Sequence, residues 1–507
     1  MSEPWLVDRW ALWATAALRP LERWLRARPG IFGRIACSYP EAIATWLSRY
    51  AAYATFERTA REVPAYRDLL QREGWVPRSR TVQDRLDSLP LLTKDTYVRQ
   101  YSIEERCVGG RIPMDGTAVD ESSGSSGKPT NWVRGREERA NVYRLEQAAH
   151  PVLFGRTDLF TINAFSMGAW ATGLMVTVGL DSVGIIKTIG PDVEKIIDTL
   201  RIFGPRYTYV IYGYPPFLKL LIEAGREQGL PWQDYTLYGM TGGEGMSEGL
   251  RTCLEEVFVR AYSVYGASDL EVGVGFESPL TVAVRKLAHE REDVRGALFG
   301  EESGVLPVPM LFHYDPLLHY VEAPHGTLVV TTTSPQLAPK PRYDIRDQGG
   351  VLSWRRFTAA LRGLGIEPRN LLRPGEALIQ MPMLYTFGRV DHTVSCMGVN
   401  VYPEDVQHAL YGDLELAAAV RRFWLAAEDD KDGNPRVSYH LELVPGRKAE
   451  AALIDHARDV LTRELARLNR DFQAGLAESP LIIPVVHLHL AESIPAQAQS
   501  LKLRYIS

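Results

Sequence analysis

Between Asp192 and Tyr265 the hydrophobic pattern alternates between a helical period and unbroken apolar runs. Val193, Ile196, Ile197 and Leu200 mark one helix face, YTYVIY from Tyr207 reads as a strand, and Phe217, Leu220, Leu221 and Ala224 mark a second helix. Leu250, Leu254, Val257 and Phe258 imply a third helix, and TLVVTTT from Thr327 is a further strand. Apolar strands separated by one-sided helices are what crossover connections require, so this part is expected to be α/β with substantial parallel sheet. Ligands of such folds gather at the carboxyl ends of strands. The glycine-bearing turns TGGE, YGASD and SSGSSGK are of the kind that sit there.

After Gly388 the units shorten: a strand at 393–397, a helix from Pro403, the alternating strand RVSYHLELV, a helix near 453–465, and PLIIPVVHLHL. This predicts a small α+β domain. A chain of 507 residues exceeds what one core usually serves, which agrees with two domains. The expected division is a helical extension over 1–50, a large domain over 51–387 and a small one over 388–507. Residues 361–377, with Gly363, Gly365, Pro368 and Pro374, read as an insertion or ordered loop before the boundary.

ESSGSSGKPT, from Glu121 to Thr130, is the richest chemical clue. Its glycines permit close backbone approach, its hydroxyls donate hydrogen bonds and Lys128 adds a cation, a set that suits polyphosphate oxygens. It does not fit G-x-x-x-x-G-K-[ST], because Ser122 stands at the first glycine and Pro129 follows the lysine. Taken alone, the stretch also fits a flexible linker.

A net charge of −5 leaves no basic footprint, so nucleic acid is not expected as a partner. The four cysteines are scattered without a C-x-x-C pair, which argues against a disulfide framework and for a reducing, cytoplasmic compartment. The histidines form no H-x-x-x-H or Ser-His-Asp pattern, so hydrolase and metalloprotease readings gain little. Trp5, Leu6, Trp10, Trp13, Ala17, Leu21 and Trp24 fall at helical spacing among Arg9, Arg19, Arg23 and Arg26. Packing on the parent domain is the first expectation for this helix; weak membrane-surface contact through 1–30 and a partner-protein surface are the alternatives.

SSGSSGKPT resembles the serine/threonine-glycine-lysine loop of the adenylate-forming enzymes, and four further stretches follow in the family's order. TGGEGMSEGLR from Thr241 and YSVYGASD from Tyr262 look like its adenine-contacting stretch and Tyr-Gly-x-Ser/Thr-Glu motif. PRYDIRD from Pro341 is similar to its ribose-binding segment, and GRVDHTVSCMGVNVYPEDVQHAL from Gly388 to its hinge and glycine loop. VPAYRDLL from Val63, LPLLTKD from Leu89 and GVNVYPEDVQ narrow the likeness to the phenylacetate-coenzyme A ligase branch of the acyl/aryl-CoA synthetases. Three departures stand out: Asp269 replaces the usual glutamate, about 40 residues separate Asp347 from Gly388, and the first fifty residues match nothing in the family.

The resemblance implies a large adenylate-forming domain with a small mobile lid domain. It implies attack of a carboxylate on the α-phosphorus of ATP with loss of pyrophosphate, then acyl transfer to coenzyme A; an amine or a carrier-protein thiol is the alternative acceptor, and a non-catalytic scaffold the reading from another class. By the same likeness Lys502, Lys128 and Arg389 are catalytic, while Ser122, Ser123, Gly124, Ser125, Ser126, Gly127, Gly243, Glu244, Tyr265, Gly266, Ser268 and Asp347 bind ATP with Lys128 and Arg389. Asp269, with Glu271 as substitute, would hold Mg2+. Phe165, Trp170, Tyr212, Tyr214 and Gly242 would shape a pocket for an aryl or bulky apolar acid, with core packing the other reading of these aromatics. Asp391 is the expected hinge, and Gly398, Val399 and Asn400 line the expected coenzyme A tunnel. A homodimer is compatible with all of this.

Overall fold

The computed structural model describes residues 28–490 apart from 77–80, 123–129, 169–170, 301–307, 390–393, 431–433 and 445, together with positions 12, 13, 17, 20 and 24. Ser123 to Lys128, Trp170, Asp391 and Lys502 lie outside the described residues, as does most of the amino-terminal helix.

The strands in chain order are β1 (Ala118–Ser122), β2 (Thr130–Arg134), β3 (Leu159–Asn163), β4 (Ile185–Thr188), β5 (Thr208–Gly213), β6 (Thr236–Thr241), β7 (Arg260–Tyr265), β8 (Gly275–Phe276), β9 (Met310–Tyr314), β10 (His319–Glu322), β11 (Thr327–Thr332), β12 (Tyr343–Leu352), β13 (Met383–Arg389), β14 (Val394–Cys396), β15 (Val399–Val401), β16 (Val420–Asp429), β17 (Pro435–Leu443) and β18 (Val485–His489). Eleven of them form one sheet in the order β10-β11-β12-β13-β9-β8-β7-β6-β5-β3-β4. From β4 to β7 the pairing is parallel; from β7 to β10 it is antiparallel.

The parallel half is where the alternating pattern lies. Helix Val193–Phe203 begins at Asp192, whose carboxylate accepts from the Lys195 amide at 3.0 Å, and buries Ile196, Ile197 and Leu200. Helix Pro215–Glu227 opens with proline in its first turn, where the missing N–H is no loss. All six residues of β5 are buried, as expected of a strand covered on both faces. The third helix is shorter than the periodicity predicts: capped by Ser247, it stops at Leu254 because the chain must turn to enter β7 at Arg260, although Phe258 remains buried.

The antiparallel half accounts for the long spacing between Asp347 and Gly388. β12 runs on to Leu352, and the chain leaves through helix Trp354–Gly363 and the short 3-10 turn Pro368–Leu371. It returns as β13, which pairs with β12 so that Arg389 faces Asp347. The 361–377 segment is thus an ordered excursion, with Leu361, Leu371 and Leu372 packing around Leu280, Val284 and Phe357.

Helix Glu41–Glu62 buries Ala44, Leu47, Tyr50, Ala52, Tyr53 and Phe56, and its Glu41 carboxylate caps the helix that starts at Trp354. Near the amino terminus Leu12 packs on the core while Trp13 and Trp24 are exposed, with Arg28 stacked 3.8 Å over the Trp24 ring. Among the described residues no helix is long and apolar enough to cross a membrane, and none of the four cysteines is in a disulfide.

After β13 come the β14–β15 hairpin and a three-stranded sheet, β16-β17-β18, antiparallel on one side and parallel on the other. Helices Pro403–Gly412, Ala451–Leu468 and Arg470–Glu478 complete this carboxy-terminal α+β unit.

Candidate active site

Four distant segments meet at one end of the large sheet. The Tyr265 hydroxyl, at the end of β7, donates to Asp347 on β12 at 2.5 Å, and Asp347 is the register partner of Arg389 on β13. One face of the Tyr265 ring is covered by Phe312, with centroids 5.4 Å apart. Asp269 accepts from the Tyr343 hydroxyl at 3.0 Å and has the Lys94 ammonium 3.8 Å away. Burial opposes ionisation of Asp269, but Lys94, Arg389, the Tyr343 hydroxyl and Lys340 outweigh it and hold the carboxyl below its usual range. The site therefore contains two carboxylates facing three cations.

The turn that carries Asp269 is held from below. A Cβ on Gly266 would lie 2.3 Å from the Val272 carbonyl, so the backbones approach too closely for any side chain. Ser268 and Leu270 offer their carbonyls to Arg134 on β2, which also pairs with Glu138 at 3.0 Å and Asp120 at 3.2 Å. One buried arginine thus ties this turn to the strand that follows the serine-rich loop. At the other root of that loop, Ser122 pairs in register with Thr130 and accepts from the Trp132 indole at 3.0 Å. Its hydroxyl is buried as an anchor for the hairpin.

Both Glu271 oxygens are already bonded, one to His319 at 3.1 Å and the other to Gln336 at 3.3 Å. Glu271 is therefore held by structural partners, which leaves Asp269 as the carboxylate that could hold a metal ion. A single carboxylate suits Mg2+, which keeps waters and takes substrate phosphate oxygens for the rest of its shell.

On the parallel side the aromatic residues form one cluster. Phe165 meets Tyr214 edge-on at 5.2 Å and Tyr212 at 6.4 Å, and a Cβ on Gly242 would fall 3.7 Å from the Phe165 ring. Tyr212 in turn shares a hydrogen bond of 2.7 Å with His150, a ring that burial keeps neutral by lowering its pKa to about 4. All three aromatics are buried.

The carboxy-terminal unit closes against this cluster. Gly398, at φ +78°, sits so tightly on Tyr214 that a Cβ would lie 2.4 Å from the ring. Beside it the Met397 amide donates to Glu244 at 3.3 Å, and burial pushes the Glu244 carboxyl up to about 8. Lys219 bonds Asn434 at 2.7 Å, and Ser166 donates to Glu478 at 3.1 Å, which extends the docking surface. Val399 packs inward on Gly475, while Asn400 accepts from Asn469 through its carbonyl at 2.7 Å. Of the three glycine-loop residues, Gly398 is the one pressed directly against Tyr214. Glu244 likewise contacts the docked unit. Gly243, at φ +83°, packs on the Cδ1–Cε1 edge of the same Tyr214 ring.

Lys94, Tyr343, Lys340, Arg134 and His150 belong to these clusters and were not singled out from sequence. Lys94 lies inside LPLLTKD, but only the isolated bridge between Leu92 and Tyr343 brings it to Asp269. Lys340 is buried beside Trp132 and Tyr343, and burial followed by repulsion from Arg134 lowers its pKa to about 8.

No family model and no curated protein matches this chain. Solved structures do. A 2-hydroxyisobutyryl-CoA ligase in complex with its acyl-AMP and CoA, in the thioesterification state, is 16% identical, covers 90% of this chain and 88% of its own, and superposes with a TM-score of 0.62. The fold is that of the adenylate-forming ligases. The same ligase in its postadenylation state, at 15% identity and the same coverage, gives 0.52. An amide bond synthetase, McbA from Marinactinospora thermotolerans, is 14% identical over 89% of this chain and 80% of its own, with a TM-score of 0.45, too distant to bear on what this chain does.

Proposed function

We propose that this chain is an ATP-dependent, AMP-forming carboxylate ligase that activates an aryl or bulky apolar acid as the acyl-adenylate and passes the acyl group to coenzyme A. The observation that carries this reading is the convergence of Tyr265 and Asp269, Asp347, and Arg389 from three separate segments into one cation-rich cluster. A carboxylate at Asp347 suits two ribose hydroxyls, and the Tyr265 ring beside it suits stacking on a nucleobase. Lys94, Arg389 and Lys128 would lower the repulsion between the carboxylate nucleophile and the polyphosphate, which is the main electrostatic obstacle to this step. Asp269 would take the Mg2+ that accompanies ATP, an ion that neutralises charge on the leaving pyrophosphate. Lys502 would contact the reacting carboxylate and α-phosphate in the same half-reaction.

For the second half-reaction the thiol sulfur attacks the acyl carbonyl and AMP leaves. The docking of Gly398 on Tyr214 and of Met397 on Glu244 supports reading this arrangement as the acyl-transfer form. The higher TM-score against the thioesterification state than against the postadenylation state of one ligase agrees with that. The apolar walls of Phe165 and Tyr214 favour an aryl or bulky apolar acid.

The test is to incubate the protein with Mg-ATP and a panel of aryl and aliphatic acids, with and without coenzyme A, and to resolve the products by mass spectrometry. AMP together with an acyl-CoA is expected. AMP without thioester would move the acceptor to an amine or carrier protein, and ATP binding without AMP for any acid would favour a scaffold. Lys502→Ala should abolish adenylate formation yet spare thioester formation from supplied acyl-adenylate; equal loss of both would overturn the assignment of Lys502.

A further inference from the structure

The three-stranded sheet of the carboxy-terminal unit gathers three of the chain's eleven histidines on one face. His440 on β17 is the register partner of Trp424 on β16 and of His487 on β18. His489 lies two residues beyond His487, and Glu428 four beyond Trp424, so strand alternation sends all five side chains to the same side. The opposite face, with Phe423, Val437, Tyr439, Leu441 and Val486, belongs to the apolar core.

The polar atoms on this face converge. His440 Nε2 lies 3.0 Å from a Glu428 oxygen, and ligand atoms of Glu428, His440 and His487 all fall within 4.8 Å of one another. The other nitrogen of His440, Nδ1, is 3.0 Å from His489 Nε2. Trp424 lies parallel to the His440 ring at 5.0 Å, and His487 stacks on it at 4.8 Å. Stacking alone accounts for the parallel rings. It does not account for a carboxylate placed on one imidazole nitrogen while a second histidine holds the other.

We propose that Glu428, His440 and His487 bind a divalent transition-metal ion, zinc or an ion of similar coordination preference, with His489 as a positioning residue. Metal bonds of about 2.0 to 2.2 Å place ligand atoms about 3 to 3.5 Å apart, so His487 needs to move inward by up to about 1.5 Å and tilt out of its stack on His440. Two imidazoles and a carboxylate suit zinc and its neighbours rather than Mg2+ or Ca2+, which prefer all-oxygen shells. His489 stands where a second-shell partner belongs, fixing the orientation of His440 through its remote nitrogen. Glu428 is 45% exposed, which gives an ion a route in and leaves a coordination position for water. None of these residues belongs to the cluster around Asp269 and Asp347, so the proposal stands whether or not the ligase reading holds.

The experiment uses the full-length, tag-free chain, stripped with a chelator, desalted, and titrated with Zn2+ against a chromophoric competitor. One equivalent should bind with a Kd of about 1 µM or tighter, and Co2+ should give visible absorption bands of a low-coordinate site. His487→Ala and Glu428→Ala should each weaken binding by about 100-fold or more, and His489→Ala by about 10- to 100-fold. His456→Ala is the control, because that ring pairs with Asp413 at 3.0 Å elsewhere in the unit and should leave affinity unchanged. Melting of each variant in chelator checks that the unit still folds. Wild-type binding weaker than about 1 µM, or equal binding in a folded His487→Ala variant, overturns the proposal.

Discussion

Two buried charge clusters flank β7, and they are built on opposite principles. Behind the strand, Arg251 and Arg285 interleave with Glu248 and Glu277 at 2.7 to 3.2 Å, every side chain at most 5% exposed. Two cations meet two anions, Arg251 also donates to the Ala261 carbonyl, and Arg285 donates to those of Pro309 and Met246. At the strand's carboxyl end, Lys94, Lys340 and Arg389 face Asp269 and Asp347, and Lys94 is 26% exposed. The first cluster is balanced and closed; the second has an excess of positive charge and an opening. Burial of charge is costly in both. Part of that cost remains at Arg285 in the first and at Lys340 in the second, but only the second is open, which is the condition expected where an anionic ligand completes the electrostatics.

The sharpest way to break this contrast is to remove one partner from each. Glu277→Gln should leave two buried guanidiniums short of a counter-charge and lower stability by about 3 to 5 kcal/mol, read from denaturant unfolding. A loss below about 1 kcal/mol would mean that the closed cluster is not under electrostatic constraint.

In the open cluster, removing a cation should have the opposite sign. Lys340→Met is expected to raise stability by up to about 3 kcal/mol at pH 7, measured the same way. The folded pKa of Lys340, about 8, lies below its ordinary value of 10.5, so below about pH 8 the lysine is charged in both states and its full cost is present. Between those values the unfolded chain holds more protons, wild-type stability rises with pH, and the advantage of the variant should fade by about pH 10.5. A variant that is less stable throughout would show that Lys340 is a net structural partner of Glu138 and Asp269.

Asp347→Asn tests the ligand side of the comparison. It keeps the shape and the Tyr265 contact but weakens a charge-assisted hydrogen bond, so adenylate formation should fall about 10- to 100-fold in kcat/KM for ATP with little change in melting temperature.

The smallest effect is expected at the docking contact. Burial raises the Glu244 carboxyl from its ordinary 4.5 to about 8, so the docked form favours the protonated acid, and docking should weaken as pH rises from about 5 through 8. Glu244→Gln should flatten that pH dependence of acyl transfer while changing the rate at pH 6 by no more than about threefold. An unchanged pH profile would remove Glu244 from the docking interface.

The parallel half of the sheet was legible because its signal is local: Ile196, Ile197 and Leu200 repeat at helical spacing, and β5 is apolar throughout. The two-part architecture showed in the change of unit length after Gly388. What sequence could not supply was long-range pairing. Lys94 reaches Asp269 through a bridge spanning about 250 residues, and Arg134 supports the Ser268 turn from a strand about 135 residues away. Nothing in the local composition of either segment encodes those meetings. Glu271 could not be judged from sequence for the same reason, since its partners His319, on β10, and Gln336 lie 48 and 65 residues away. The histidine face was invisible too, because H-x-x-x-H spacing describes helices, whereas here the ligand set is spread across three strands.

The excursion between β12 and β13 has a consequence for how such chains can vary. Because the returning strand is fixed by its ladder with β12, the meeting of Asp347 and Arg389 depends on register and not on how many residues lie between. The segment from Ser353 to Pro382 can therefore differ in length without disturbing that pairing, provided the core contacts of Phe357 and Leu361 are kept. It can lengthen, shorten or acquire a helix over generations, and a search that counts spacing will lose the relationship long before the chemistry is lost.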